Sequence, residues 1–376
     1  MSQRHLATWS ALTGCVVLAA AVAAQQPRIL NGQVSNRPAG SLAQTFRTMV
    51  AAQPDVAWIG YTVPVKDGDR VMCCWSSGDG YISGSMRAGD APCCGFCRIE
   101  PGAERESAAS GRRAATPAAA PGPIKLEGSN RMVVMFRIAA TQVERVRVFS
   151  EDCELDAGGR PVTWLEGVQP AESIALLESM VDSGQERKSR ITNAALNAIA
   201  QHADPSAGAA LERLARTHTV PGVRGEALFW LAQRGDANAA SLILNAIDKD
   251  PAAEVRKRAV FALSQLPSDA GIDALIRVGR THAEAAVRGE AIFWLGQKAG
   301  KKAAGTITEA IEKDPETDVK RRALLALSQL PKDEGVPLLI DVARKNPNPV
   351  VRKQAIFWLG QSKDPRAIEF FAEILK

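Results

Sequence analysis

With 376 residues, a formal net charge of +5, 46% hydrophobic and 23% charged residues, the chain has the composition of a globular protein long enough for two or more domains, neither disordered nor polytopic. The charge is spread evenly: 29 basic and 26 acidic residues from Pro170 onward leave 17 and 15 before it. Nucleic-acid binders gather positive charge to neutralise phosphates, so this balance argues against DNA or RNA as a partner.

The first 24 residues place Arg4 and His5 before an apolar run that closes on Val22, Ala23 and Ala24. That is the pattern of a secretory signal peptide, with cleavage expected after Ala24. Two alternatives stay open. Leu12, Thr13, Gly14 and Cys15 spell a lipoprotein box in which Cys15 would be acylated, and an uncleaved run would be a short membrane anchor. Membrane attachment follows only from one of these two. All three outcomes put the bulk of the chain in an exported compartment, periplasmic or extracellular.

Residues 25–55 are polar and punctuated by Pro and Gly, and are expected to form a flexible lead with a short helix from Ser41 to Ala52. Val56–Val65 (VAWIGYTVPV) is aromatic and β-branched and predicts a strand, with Pro64 weakening its end. The Ala/Pro/Gly/Ser/Arg tract 101–123 has too little apolar surface to order itself and predicts a disordered insert. Met132–Ile138 and Val143–Phe149 predict a hairpin. Residues 56–165 thus form a small β-rich domain.

Six cysteines remain after the signal, all in this domain: Cys73, Cys74, Cys93, Cys94, Cys97 and Cys153. An even set in a small exported domain predicts a disulfide framework, of three bridges, that supplements a limited core. The CxxC of Cys94 and Cys97 keeps two other readings open, a thiolate zinc site and a thiol-redox motif. The Arg98–Gly102 sequence that follows does not open a helix in a βαβ unit, as the redox reading would need.

From Pro170 the pattern turns helical and repeats every 32 residues: VRGEALFWLAQ (Val223–Gln233), VRKRAVFALSQ (Val255–Gln265), VRGEAIFWLGQ (Val287–Gln297), VKRRALLALSQ (Val319–Gln329) and VRKQAIFWLGQ (Val351–Gln361). A fixed period of this size marks a solenoid, whose units bury their apolar faces only against their neighbours. Leu211, Ile243, Leu275, Ile307, Leu339 and Phe371 hold one register in a first helix. Ala227, Ala259, Ala291, Ala323 and Ala355 hold one in a second. Asp250, Asp314 and Asp364, each before a proline, are expected to start helices. Extended backwards through Arg190–Gln201 and forwards through Arg366–Lys376, the count is six helix pairs and a terminal helix, over 170–376.

The V-R/K-x-x-A-x-x-x-L stretch resembles the HEAT-like repeats of the phycobilisome-lyase type. The resemblance covers residues 170–376. It implies an all-α HEAT-like solenoid there, so that, with the small β-rich cysteine domain read from the residues before it, the chain is expected to be α+β multidomain. Such repeats occur in lyases, in hydroxylases and in plain binding proteins. Related hydroxylases hold a di-iron centre with His-Glu dipeptides on the second helix. Here the matching positions are Gly225-Glu226 and Gly289-Glu290, without the histidines, and a bilin lyase would act in the cytoplasm.

A second period, of 64 residues, overlies the first. Trp230, Trp294 and Trp358 alternate with Ala262 and Ala326, and Glu226, Arg258, Glu290, Arg322 and Gln354 alternate acid with base. Either the large and small residues accommodate one another and the charges form a ladder, or the tryptophans line a groove as hydrophobic or cation-π anchors for a protein or extended peptide partner or a glycan. His218 and His282 share a register with Asp250, Asp314 and Asn346. They read as turn residues bonding their neighbours, against a metal or pH-sensing row. The recurring glutamines read as backbone-bonding residues at helix ends. No nucleophile with its base and no phosphate-cradling loop stands out. The expectation is therefore an exported protein-protein interaction scaffold that binds through the solenoid, no enzyme, without metal or cofactor. An envelope thiol-redox or metal-handling protein is the alternative. A HEAT-like metal-dependent oxidoreductase or bilin-lyase-like enzyme is more remote.

Overall fold

A computed structural model describes residues 26–66, 96–100, 130–151, 153–181, 186–267, 269–298 and 301–375. The signal segment, the insert 101–123 and Cys73, Cys74, Cys93 and Cys94 lie outside the described residues.

The N-terminal region is built on a five-stranded mixed sheet in the order β2-β8-β3-β5-β6, from Gln33–Pro38 (β2), Ala57–Pro64 (β3), Arg131–Ala139 (β5), Gln142–Ser150 (β6) and Pro161–Glu166 (β8). A smaller parallel sheet contains Ile29–Leu30 (β1), Glu154–Asp156 (β7) and Phe96–Arg98 (β4). The β5-β6 hairpin closes on Ala140 and Thr141, both at positive φ (49° and 58°), the handedness that matches the strands' own twist in a two-residue turn. Gly60, mid-strand in β3, leaves the room in which Met135 and Trp164 meet: a Cβ there would lie 2.3 Å from the Met135 sulfur and 2.9 Å from the Trp164 ring.

One expectation fails here. The lead 25–55 is not a free tail, because β1 and β2 run parallel to β7 and β8 and pair their backbone groups with them. Its polarity reflects an edge position: all six residues of β2 are exposed, and an edge strand needs paired backbone on one side more than it needs apolar side chains. Ser41 precedes helix α1 (Leu42–Ala51), which lays Leu42 and Phe46 on the sheet.

Thirteen further helices follow among the described residues. The first helices of the pairs are α2 (Pro170–Glu178), α4 (Ser206–Thr217), α6 (Ala239–Lys249), α8 (Asp269–Thr281), α10 (Lys301–Lys313) and α12 (Lys332–Lys345). The second helices are α3 (Glu186–Gln201), α5 (Pro221–Arg234), α7 (Ala253–Ser264), α9 (Ala285–Lys298), α11 (Thr317–Ser328) and α13 (Pro349–Ser362), and α14 (Pro365–Ile374) stands alone at the end. This is the solenoid of six pairs and a terminal helix. The register alanines Ala227, Ala259, Ala291, Ala323 and Ala355 are all fully buried, which lets the helices of each pair and their neighbours approach closely.

The two regions share one core. Ile59, Tyr61, Val63, Val134 and Phe136 on one face of the sheet are continuous with Ile174, Leu177, Leu196 and Ile199 of the first helix pair, and so with the whole solenoid. The opposite face, with Trp58, Val133, Met135 and Trp164, closes a separate core over Ile99, Cys153 and Leu155. At the seam Val65 bridges to His202, and the Lys66 amide donates to the Gln201 carbonyl at 2.8 Å. The Lys66 ammonium donates to the Arg234 carbonyl and to Asp236. Arg234, almost wholly buried, donates in turn to the carbonyls of Ala200 and His202.

A buried relay crosses the same seam. The His202 ring lies 2.7 Å (Nδ1) from the Ala198 carbonyl and 2.9 Å (Nε2) from Ser173 Oγ, which lies 2.8 Å from Tyr61 Oη. A carbonyl can only accept, so Nδ1 carries the proton, Nε2 accepts from Ser173, and Ser173 accepts from Tyr61. Every donor and acceptor is used in the neutral state. Burial pushes the His202 pKa down to about 4, with the Arg234 charge acting in the same direction and Asp204 opposing it. Because the folded value lies below the ordinary 6.5, this group's stability is whole above pH 6.5 and drains away as the pH falls to 4. The carboxylates with depressed values, Asp204, Asp250, Asp314 and Asp364, lose their contribution mainly below that window. Urea unfolding should therefore lose about 3 kcal/mol between pH 7 and pH 4 through His202. In His202→Gln the loss over this window should shrink to a small remainder.

Candidate interaction surface on the second helices

The second helix of each pair carries three kinds of side chain at fixed register: an arginine or lysine that works inward, a charged or glycine pair, and an aromatic row that faces solvent. The inward residue explains the recurrent V-R/K. Arg224 donates to the carbonyls of His218 and Thr219 at the end of its own turn and forks onto both oxygens of Asp250 in the next unit, each at 2.8 Å. Arg288 repeats this with the carbonyls of His282 and Ala283 and with Asp314 at 2.7 and 2.9 Å. These aspartates lie below their ordinary pKa: burial raises them, and the opposing hydrogen bonds and charges of the arginine and turn amides outweigh it. Where the next turn offers a histidine the geometry changes. Arg256 holds the carbonyls of Asp250 and Pro251 and turns to Glu284 instead.

The turn register is thereby accounted for. His218 and His282 accept through Nδ1 from the amides of Val220 and Glu284, and Asp250, Asp314 and Asn346 accept through Oδ1 from those of Ala252, Glu316 and Asn348. Each mimics a turn with its side chain. Asp250 and Asp314 do not start helices as expected. They close the preceding helix, and the next begins three residues on, after an extended residue. Asp364 does cap α14, accepting from Arg366 with Pro365 in the first turn.

On the solvent side the charge alternation pairs across units: Arg258 with Glu226 at 2.7 Å and Arg322 with Glu290 at 3.0 Å. The glycines make room for these arginines. A Cβ at Gly225 would meet Arg258 Cγ at 2.9 Å, and one at Gly289 would meet Arg322 Cδ at 2.7 Å. The positions where a His-Glu dipeptide would present iron ligands are thus filled by arginine stems, and the glutamates are neutralised by the same arginines. These residues do not fit a di-iron centre. Among the described residues no group of three or more His, Cys, Asp or Glu is placed to hold a metal.

Trp230, Trp294 and Trp358 are half-buried in the row beside this ladder, with Ala262 and Ala326 fully buried between them. They do not touch one another, being two units apart. What joins them is a row missed in the sequence: Phe229, Phe261, Phe293, Leu325 and Phe357, one residue earlier in the same period. Phe229 stacks on Phe261 with centroids 5.6 Å apart and planes within 3°, and Phe261 packs on Trp294 at 4.8 Å. Arg258 lies over both phenylalanines, at 5.9 and 5.1 Å, within cation-π reach. The ring run Trp230-Phe229-Phe261-Trp294-Phe293 therefore crosses α5, α7 and α9. It breaks at Leu325 on α11 and resumes with Phe357 and Trp358 on α13.

At the break a cleft of about 620 Å³ opens, lined by Ala285, Ala286, Val319, Arg321, Leu325 and Trp358 among others. A smaller cavity of about 180 Å³ on the other side of Trp358 is walled by Gln329 and Gln361. The glutamines need correction. Gln201 bonds Asn197 and Gln265 bonds Ser264, but Gln233, Gln297, Gln329 and Gln361 make no side-chain hydrogen bond with described residues, and all four are exposed. A helix end leaves its carbonyls facing along the axis, away from a side chain that leaves the helix sideways.

Of the cysteines, Cys153 is buried and disulfide-bonded. Cys97 falls in β4 with its side chain outside the described set, as are Cys73, Cys74, Cys93 and Cys94.

The family model described as HEAT repeats matches residues 214–296, 272–354 and 306–376. Residues 214–376 are HEAT repeats. Among solved structures, the phycocyanin lyase CpcE–CpcF complex of Nostoc is similar at 22% identity, over 42% of this chain and 98% of that one, with a TM-score of 0.32. YibA of Escherichia coli is similar at 19% identity, over 55% of this chain and 76% of that one, TM-score 0.33. Human deoxyhypusine hydroxylase in complex with glycerol is similar at 16% identity, over 52% and 96%, TM-score 0.26. Likeness at this level says nothing of activity. Comparison with curated proteins finds no match.

The spacing of these HEAT helices rests on glycines of unequal importance. Gly296 and Gly360 share a register, yet a Cβ at Gly296 would lie within 2.9 Å of three Ala326 atoms, two of them backbone, and one at Gly360 would meet nothing. Gly360→Ala should raise stability by about 0.5–1 kcal/mol through helix propensity. Gly296→Ala should lower it by about 1–3 kcal/mol through overpacking. Paired urea titrations check both signs.

Proposed function

We propose that this chain is an exported scaffold that binds a partner protein through the solvent face of the second helices, and that it binds without catalysing. The observation that carries the reading is the ring run across α5, α7 and α9 with its extension on α13. A solenoid needs small or aliphatic residues between units, and it gains nothing in folding from leaving aromatic edges and glutamine amides half in water. Aromatic and arginine side chains on a shared face are the residues that dominate the energetics of protein interfaces. The inward charges, by contrast, are consumed by turns and neighbouring helices, and among the described residues we identify no nucleophile with its base beside a cleft.

Export is supported by the basic, apolar and small-residue order of residues 1–24 and by the bonded state of Cys153, since disulfides persist outside reducing compartments. The six cysteines are proposed as a disulfide framework that holds the small sheet against the larger one. Alkylation of the denatured, unreduced protein should label none of Cys73, Cys74, Cys93, Cys94, Cys97 and Cys153. Labelled thiols accompanied by bound zinc would replace the framework by a metal site.

Because sheet and solenoid share a core, the bait for partner capture is the full chain. From an envelope extract it should retain a partner that is lost in the combined Trp230→Ala, Trp294→Ala and Trp358→Ala variant and kept by Asp341→Lys, which alters the opposite helices. If the triple variant melts at a lower temperature but captures as well as the parent, the second-helix face is not the binding surface.

A further inference from the structure

We propose that the open face formed by α13 and α14 joins two copies of this chain about a two-fold axis, a contact separate from partner binding by the second helices. In each pair the first helix lays one face on its own second helix, as α12 does on α13. Val336, Leu339, Val342 and Ala343 carry that face on α12, and all four are buried. At the same register, 32 residues on, α14 holds Ile368, Phe371, Ile374 and Leu375. Nothing among the described residues covers this face, and Ile368, Ile374 and Leu375 are 66, 51 and 84% exposed. The adjoining side of α13 is open too. Ile356 is half-buried where Leu228, Val260, Ile292 and Leu324 are buried, and Phe357 is exposed where Phe229 and Phe261 each meet a ring of the next second helix. A Cβ at Gly360 would meet nothing within 4 Å, whereas one at its counterpart Gly296 would strike Ala326 of the next second helix. Together α13 and α14 present the seat of one more helix.

Area and charge point to a second copy as the occupant. Val350 and Phe357 on α13, with Ile368, Ile374 and Leu375, leave on the order of 500 Å² of apolar surface open, about the largest patch a monomer usually shows. Two copies set face to face would bury about 1,000 Å² of it, the least that a specific contact needs. A two-fold contact also requires a surface that complements itself. The unpaired charges at the rim are of both signs: Lys353 and Lys363 on one side and Glu369 on the other are exposed and bonded to no described side chain. Glu373 and Arg366 are already taken up by Arg344 and Asp364. A partner of one sign would leave half of this rim unmatched, whereas a turned copy brings α13 of each against α14 of the other and Lys353 of each toward Glu369 of the other. Lys353 shares a side of α13 with Val350 and Phe357, three and four residues away. On α14 the exposed stripe is Ile368, Ala372 and Leu375, again at helical spacing. The small Ala372 at its centre lets the two α14 helices cross closely.

The test is sedimentation velocity of the full chain at concentrations from about 1 to 100 µM. The expected result is a reversible monomer-dimer equilibrium that stops at the dimer, because a two-fold contact closes on itself. Ile368→Glu combined with Leu375→Glu should raise the dissociation constant about a hundredfold or more, and Ala372→Arg about tenfold. All three side chains are exposed, so the unfolding midpoint at the lowest concentration, where the parent is monomeric, should not move. Trp230→Ala, on the partner-binding face, should dimerise like the parent, which keeps the two readings separable. A monomer at every concentration would overturn the inference: ANS binding would then return the open face to a different protein, and its absence to a segment of the chain itself. A dimer that survives both sets of substitutions, or oligomers that keep growing with concentration, would overturn it as well.

Discussion

A helix pair of about 30 residues cannot bury its own apolar face, and everything in this molecule follows from that constraint. Each unit closes the one before it, with Ala227, Ala259, Ala291, Ala323 and Ala355 setting the depth of the approach. The first pair has no unit before it, and the sheet supplies the missing surface. Its inner face, Ile59, Tyr61, Val63 and Phe136, continues the core of the helices without interruption. The β-rich region is thus a cap on the solenoid as much as a domain of its own, and Tyr61, Ser173 and His202 fix where it sits. A buried polar chain of this kind holds only one arrangement of its three elements, because any other leaves a donor or acceptor unpaired.

The opposite end is finished differently. Of the six large apolar side chains exposed among the described residues, four lie on α13 and α14, Val350, Phe357, Ile368 and Ile374, and a fifth, Leu375, caps α14. Ile374 stands in the register of Leu214, Val278, Ala310 and Val342, which are buried in their own units. Among the described residues the large exposed apolar side chains are therefore gathered at the last helices, beside the cleft.

The 64-residue period shows in two sets of contacts between units. A buried arginine that forks onto an aspartate in the next turn cannot do the same onto a histidine, so units alternate between aspartate and histidine turns and their arginines between two partners. On the outer side the same alternation sets glycine and glutamate against arginine, each glycine vacating the space that the arginine stem fills. Both patterns, one in the turns and one on the helix surface, pair each unit with its neighbour.

The solenoid, its number of pairs and the β5-β6 hairpin were legible in the sequence, because helical periodicity, an unvarying repeat and alternation along a strand are local signals that burial merely enforces. The turn role of His218 and His282 was legible for the same reason. The ordering of residues 29–38 was not: β2 gains its place from backbone bonds to β8, more than a hundred residues away, and carries no apolar pattern of its own. Nor was the idleness of Gln233, Gln297, Gln329 and Gln361, since an amide's partner depends on which way the helix end faces. Sequence gave the tryptophan row as three separate residues. Only packing of adjacent helices could join it to Phe229, Phe261 and Phe293 and open a cleft where Leu325 leaves the run unfilled, because ring contacts between units depend on helix spacing that no single repeat encodes.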